Sequence, residues 1–232
     1  MTTHTSLRTT TSPTVRRRRT RAWTALVGAA LTVGSVVALA DTASAQVPRV
    51  VTNELATEIS ATADRAMVSL DEYTATGDLD DYLVYARDRT STARLAAREL
   101  GYNEFAMIDA WKSAPLEHQR AVLAAMTQVG VPYRSNTSIE DTGFDCSGLT
   151  TYAWAQAGET LVRQSGGQIR EAAPLERSQA KAGDLVQYPG HVMMYLGVGD
   201  AVIHSVQTGR SVEVDTISTR RHNSVRFGDP TR

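Results

Sequence analysis

Cys146 is the single cysteine of the 232-residue chain, and it stands in Gly143-Phe144-Asp145-Cys146-Ser147-Gly148-Leu149-Thr150. The residues that follow, Thr151 to Gly158, place Leu149, Ala153 and Trp154 on one helical face, so the cysteine falls at or near a helix N-terminus. Backbone N–H groups exposed there favour negative charge, which activates a thiol and also holds the oxyanion of a tetrahedral intermediate. A buried structural cysteine fits a polar, glycine-containing turn poorly. A cysteine nucleophile needs an imidazole to take and return a proton, and the chain beyond residue 45 offers His118, His191, His204 and His222. If Gly197-Val198-Gly199-Asp200 is a hairpin turn, Leu196 pairs with Ala201, Met193 with His204 and His191 with Val206. His191 and His204 are then diagonal neighbours on one face. This assigns His191 as general base and acid and His204 as the group that orients its ring. Val192, Met194, Leu196, Ala201 and Ile203 form the opposite, core-facing side. His118 and His222 read as surface residues. Asp145, Cys146, His191 and His204 together could be weighed as zinc ligands, but no C-x-x-C or H-E-x-x-H spacing supports a metal, and no cofactor is expected.

These groups must be held by a scaffold, and its elements follow from periodicity. Val50 to about Tyr73 shows apolar residues at one-helix-face spacing, Thr76-Gly77-Asp78 breaks it, and Leu79 to Leu100 resumes it until Gly101. Two helices with a short connection predict an antiparallel hairpin. A third helix carries Phe105, Ile108 and Trp111, and a fourth runs from Leu116 to Gly130-Val131-Pro132. Strand-length apolar runs then occupy Asp184 to Tyr188, His191 to Leu196, Ala201 to Val206, Val212 to Ile217 and Val225 to Phe227, with only Cys146 to Ala157 reading as helix. The fold class is α+β, a helical module followed by a central helix on an antiparallel sheet.

The first 45 residues differ from the rest. Arg16 to Arg19 and Arg21 precede an apolar run from Ala22 to Ala40 and the triplet Ala43-Ser44-Ala45, the pattern of a secretory signal cleaved after Ala45, with Sec rather than Tat as the default route. The predicted organisation is signal 1–45, helical module 46–113 and catalytic domain 114–232. Residues 1–45 hold six of the 24 Lys and Arg and one of the 25 acidic residues, leaving 18 basic against 24 acidic. That acidic remainder has no basic patch interleaved with aromatics, so nucleic acid is not an expected partner. It has no second run long enough to span a bilayer, so stable membrane insertion after cleavage is not expected.

Over roughly Leu116 onward, the motifs Gly130-Val131-Pro132-Tyr133, Phe144-Asp145-Cys146-Ser147-Gly148-Leu149, Gly183-Asp184-Leu185-Val186, Gly190-His191-Val192-Met193-Met194-Tyr195-Leu196-Gly197 and Val202-Ile203-His204-Ser205 resemble the NlpC/P60 family of papain-like cell-wall peptidases. The resemblance implies a secreted or wall-associated bacterial endopeptidase acting on peptidoglycan stem peptides, typically between γ-D-glutamate and a diamino acid. It implies Cys146 as nucleophile, His191 as base and His204 as the third polar residue, with Tyr133, Asp145 and Ser165 lining the substrate site. Asp145 is equally suited to capping the helix. The segment Arg134-Ser135-Asn136-Thr137-Ser138 departs from the family's aromatic and glycine pattern near the expected cleft. The helical module carries no family motif: it would cover the cleft, bind a wall-associated protein or only stabilise the domain. Rival readings are a catalytically silent peptidoglycan-binding domain, and an amidase or transacylase on the same scaffold.

Overall fold

The computed structural model describes residues 53–232; the predicted signal, its predicted cleavage site and the predicted helix start at Val50 lie outside these residues. Four helices lead: α1 (Ala56–Thr76), α2 (Leu79–Leu100), α3 (Glu104–Ser113) and α4 (Leu116–Thr127). α1 begins six residues after the predicted start and ends where Gly77 takes a left-handed φ of 73°, its N–H closing on the Tyr73 carbonyl. The Asp78 side chain then accepts from the Asp80 N–H and starts α2. A glycine that tolerates αL and an aspartate that satisfies an orphan N–H turn the chain back within two residues. The hairpin closes on an alanine-rich seam: Ile59, Ala63, Ala66 and Leu70 of α1 and Ala93, Ala96 and Ala97 of α2 are fully buried. Deleting buried methylenes at such a seam costs about 2–5 kcal/mol for a Leu-to-Ala change.

Two short strands follow, β1 (Ser138–Ile139) and β2 (Gly143–Phe144), then α5 (Cys146–Gln156) and α6 (Ser165–Glu171). The sheet comprises β3 (Ala173–Leu175), β4 (Leu185–Tyr188), β5 (His191–Tyr195), β6 (Ala201–Ser205), β7 (Val212–Thr216) and β8 (Arg226–Asp229), in the order β3-β8-β4-β5-β6-β7 with every pairing antiparallel. The expectation of a single helix beyond Gly130-Val131-Pro132 is corrected by α6. Two glycines and seven residues give it no readable period, and its burial of Gln168 against α5 and of Ile169 against the sheet supplies what propensity does not.

The β5–β6 register pairs Met194 with Ile203 and Tyr195 with Val202, the alignment read from the sequence. Val192, Met194, Leu196, Ala201 and Ile203 pack into the main core with Leu149, Ala153 and Trp154 of α5, and the same core continues into the helical hairpin. The other sheet face carries a smaller apolar cluster around Val186, Met193, Tyr195, Val202 and Phe227.

The hairpin is fastened to the sheet at its edge. The Asn53 side chain accepts from the Val214 N–H and donates to the Val214 carbonyl, both at 3.0 Å, so one amide occupies both polar groups of a residue on edge strand β7. Glu99 of α2 in turn accepts from Asn53 Nδ2 and the N–H groups of Glu54 and Leu55. Trp111 Nε1 donates to the Leu196 carbonyl at 3.0 Å and the Tyr102 hydroxyl accepts from the Asp200 N–H, so α3 and its lead-in clasp the β5–β6 turn. Unpaired edge groups otherwise invite association with another strand. No helix among the described residues is long and apolar enough to cross a membrane.

Candidate active site

Cys146 is the first residue of α5, and the residue before it makes the helix start rigid. Asp145 Oδ1 accepts from the Gly148 N–H at 2.7 Å, while the Asp145 N–H donates to the Thr137 carbonyl. A Cβ at Gly148 would lie 2.0 Å from that same carbonyl oxygen, so only glycine lets the β1 segment approach α5. Both Asp145 oxygens are also gripped by Arg163, at 2.8 and 2.6 Å, and Arg163 donates further to Ser147 Oγ and the Thr137 carbonyl. Burial would raise the Asp145 pKa, but the Arg163 and Gly148 hydrogen bonds and the Arg163 charge outweigh it and hold the carboxyl below its ordinary value. Asp145 therefore caps the helix and forms a bidentate ion pair at once.

A cleft of about 520 Å³ opens beside the thiol, and Tyr133, Asp145, Cys146 and Ser165 line it with Arg163 and Gly190. Ser135 and Asn136 of the divergent segment border it as well, Asn136 in a left-handed φ of 56°. Cys146 is partly exposed. No residue of the helical hairpin lines this cleft, so the arrangement in which the hairpin covers it is not what the structure shows. Burial, with the Cys146 and Asp145 charges adding, pushes the Tyr133 hydroxyl up from its ordinary value.

His191 begins β5 and His204 lies near the end of β6. Their rings meet edge-on, with His191 Nε2 and His204 Nδ1 2.7 Å apart, and the residues are only 9% and 8% exposed. Burial and the neighbouring His204 push the His191 pKa down to about 3, so its ring is neutral near pH 7. The contact with His204 uses Nε2, so Nδ1 is the ring nitrogen left for another partner. Tyr188 stacks on His191 at 5.2 Å, and Arg221 lies 4.6 Å above the Tyr188 ring.

Ser205, next to His204 and fully buried, donates its hydroxyl to the Phe144 carbonyl at 2.7 Å, which ties the strand bearing His204 to the segment two residues before Cys146. Gln168 of α6 donates to the Ser147 carbonyl and accepts from Thr150 Oγ1, locking α5 from the other side.

Sequence reasoning did not single out Arg163, Gln168, Ser205 or Asp215. For Asp215 a signal existed: carrying strand alternation from His204 into β7 puts it on the same face. For Arg163 none did, since a loop closure joins it to Asp145. The placement of His118 is corrected. It is 1% exposed, packs edge-on against Trp154, and its Nε2 lies 3.1 Å from Asp184 Oδ1 and 3.7 Å from Asp229 Oδ1. Its i+4 and i+7 neighbours Val122 and Ala125 are core residues, so the helical face that carries it turns inward. His222 is half-buried and pairs with Asp200.

Comparison with known proteins places this site in context. Residues 130–228 match the model of the NlpC/P60 family. Murein DD-endopeptidase MepH of Escherichia coli is 38% identical over 103 residues, 40% of this chain and 38% of that protein. A γ-D-glutamyl-L-lysine dipeptidyl-peptidase of Bacillus cereus is 36% identical over 85 residues, 33% of this chain and 25% of that protein. The matched region thus spans well under half of either relative. A crystal structure of the P60 domain of a Mycobacterium avium subspecies paratuberculosis antigen is 28% identical, with a TM-score of 0.43, covering 50% of this chain and 96% of that one.

Proposed function

Residues 130–228 being an NlpC/P60 domain, we propose that the protein is a secreted or wall-associated cysteine endopeptidase that hydrolyses peptidoglycan stem peptides. The observation that carries the reading is the buried His191–His204 pair, 2.7 Å apart, on strands tied through Ser205 to the helix start that presents Cys146 to an open cleft.

In the first step the Cys146 thiol passes its proton to His191 Nδ1 and its sulfur bonds to the amide carbonyl carbon. Gly148 and Leu149 N–H groups are already spent on Asp145. The N–H groups of Cys146 and Ser147, at the positive end of α5, are left to hold the oxyanion. Collapse of the tetrahedral species breaks the C–N bond as His191 gives its proton to the leaving amine, leaving a thioester on Cys146. Water, deprotonated by His191, releases the acyl group and restores the thiol. Tyr133, Ser165 and Arg163 border the path of the peptide, with Asp145 acting through Arg163 and the helix cap.

The relatives' names specify different bonds, one a DD-endopeptidase and one a γ-D-glutamyl-L-lysine peptidase. The bond proposed here is that between D-glutamate and the diamino acid. Mass spectrometry of purified muropeptides incubated with the protein and with Cys146→Ala decides both questions. Fragments split after D-glutamate, seen only with the intact thiol, are the expected result. Fragments split at a D-alanyl bond would move the specificity, and fragments formed equally by Cys146→Ala would remove the cysteine mechanism.

A further inference from the structure

The chain of rings continues past His204. In the β6–β7 register Val202 faces Asp215 and His204 faces Glu213, which makes His204 and Asp215 diagonal neighbours on one sheet face. Asp215 Oδ2 lies 3.4 Å from His204 Nε2, and its Oδ1 accepts from the Thr216 N–H at 2.7 Å. Glu213, although directly opposite His204, is turned away to an ion pair with Arg210 and to the N–H and hydroxyl of Ser211. The other charged and titratable neighbours of the cluster include His191, Tyr188 stacked on it, Cys146, Arg210, and Arg220 and Arg221 beside Tyr188. Asp215 is thus the one carboxylate with an oxygen at His204 Nε2 among the described contacts.

We propose that Asp215 is a positioning residue that fixes the tautomer of both histidines and so keeps His191 Nδ1 unprotonated toward the thiol. A carboxylate only accepts, so His204 carries its proton on Nε2. With one proton per ring, His204 Nδ1 is then an acceptor and must receive the Nε2–H of His191. The His191 proton is therefore fixed on Nε2, and the lone pair left is on Nδ1. Burial would raise the Asp215 carboxyl, but the hydrogen bonds from His204 and the Thr216 N–H, with the His204 and Arg210 charges, hold it below its ordinary value, so it is an anion wherever the site would work. The catalytic half of this inference rests on the Cys146–His191 reading; the tautomer half stands alone.

The test is 15N NMR of ring-labelled histidines at pH 7, paired with muropeptide kinetics, on the wild-type protein and two variants. Asp215→Asn keeps an oxygen for the Thr216 N–H and turns an amide donor toward His204 Nε2, so both rings should move to the Nδ1–H form. Asp215→Ala removes the acceptor without supplying a donor and should give mixed tautomers. The side chain is 44% exposed, so neither change disturbs a packed core. The kcat of the Asn variant should fall roughly 10- to 100-fold with KM little changed, part of what losing a general base altogether costs. Ring spectra identical to wild type in both variants would overturn the proposal. So would shifted tautomers with an unchanged kcat, for its catalytic half. If wild type cleaves no better than Cys146→Ala, the endopeptidase reading fails, and the spectra still decide whether Asp215 sets the rings.

Discussion

Two of the histidine–carboxylate clusters among the described residues have similar ingredients and opposite surroundings. At His118, one ring is sealed between Asp184 and Asp229, with 1% or less of His118 and Asp184 exposed, where α4 meets the starts and ends of strands β4 and β8. Both carboxylates there have further partners: Asp184 Oδ2 accepts from the Lys181 N–H, and Asp229 Oδ1 from Thr231. At His191, the ring meets another imidazole instead of a carboxylate, and the acid stands one ring further away at Asp215. What separates the two rings is access. Both carboxylates face His118 Nε2, and its Nδ1 is buried without a hydrogen-bond partner, whereas His191 directly follows Gly190, which lines the cleft beside Cys146.

The sharpest way to break this comparison is to delete each ring. His191→Ala should lower muropeptide cleavage by roughly 100- to 10,000-fold while leaving thermal unfolding near wild type, since its loss is one of chemistry. His118→Ala should do the reverse, costing about 3 kcal/mol of stability by leaving two buried carboxylates facing each other, with the rate per folded molecule unchanged. Calorimetry beside the cleavage assay separates the two, and a His118 variant that stays stable yet inactive would erase the distinction.

Gly148→Ala is the next largest effect. Its Cβ would meet the Thr137 carbonyl at 2.0 Å, and neither the α5 start nor the β1 segment has slack. A loss of about 1–3 kcal/mol is expected, together with reduced cleavage, because the displaced element is the one that carries Cys146. Urea unfolding would detect it.

The last effect is absent near neutral pH and appears only on acidification, as a pH slope. With a folded pKa of about 3 against an ordinary 6.5, His191 binds fewer protons in the folded state than in the unfolded chain between those values. Its contribution therefore destabilises the fold progressively as pH falls from about 6.5 toward 3, and is absent above that window. His191→Gln should flatten the fall in melting temperature across that range. Asp145 acts in the same sense at lower pH: its depressed pKa gives stability that is present above the ordinary carboxylate value and lost on acidification below it. Asp145→Asn should remove that step and also the Arg163 pairing.

Much of this was legible in the chain itself. Alternation of apolar residues on either side of Gly197-Val198-Gly199-Asp200 set the β5–β6 register, because a slip of one residue would bury one histidine face and expose five core residues. Asp78 and Gly101 bracketed α2 for local reasons of capping and left-handed geometry. The strands of two or three residues and the seven-residue helix α6 were not legible. The β1–β2 pair, β3 and α6 are too short to show a period and exist because neighbours bury them. His118 misled because Glu117, Gln119 and Arg120 surround it in sequence, although its helical face leads to Val122 and Ala125.

By itself, then, the sequence determined which groups are capable of chemistry and the local frames that hold them: a cysteine at a helix start, a histidine pair on one strand face, a helical hairpin bounded by caps. These follow from interactions within a few residues or across one tight turn. Only the tertiary structure decided that Arg163 clamps Asp145, that Ser205 ties β6 to the Cys146 segment, and that the hairpin seals the β7 edge instead of the cleft. Each joins residues distant in the chain or rests on which surfaces meet in the core, and no spacing encodes that.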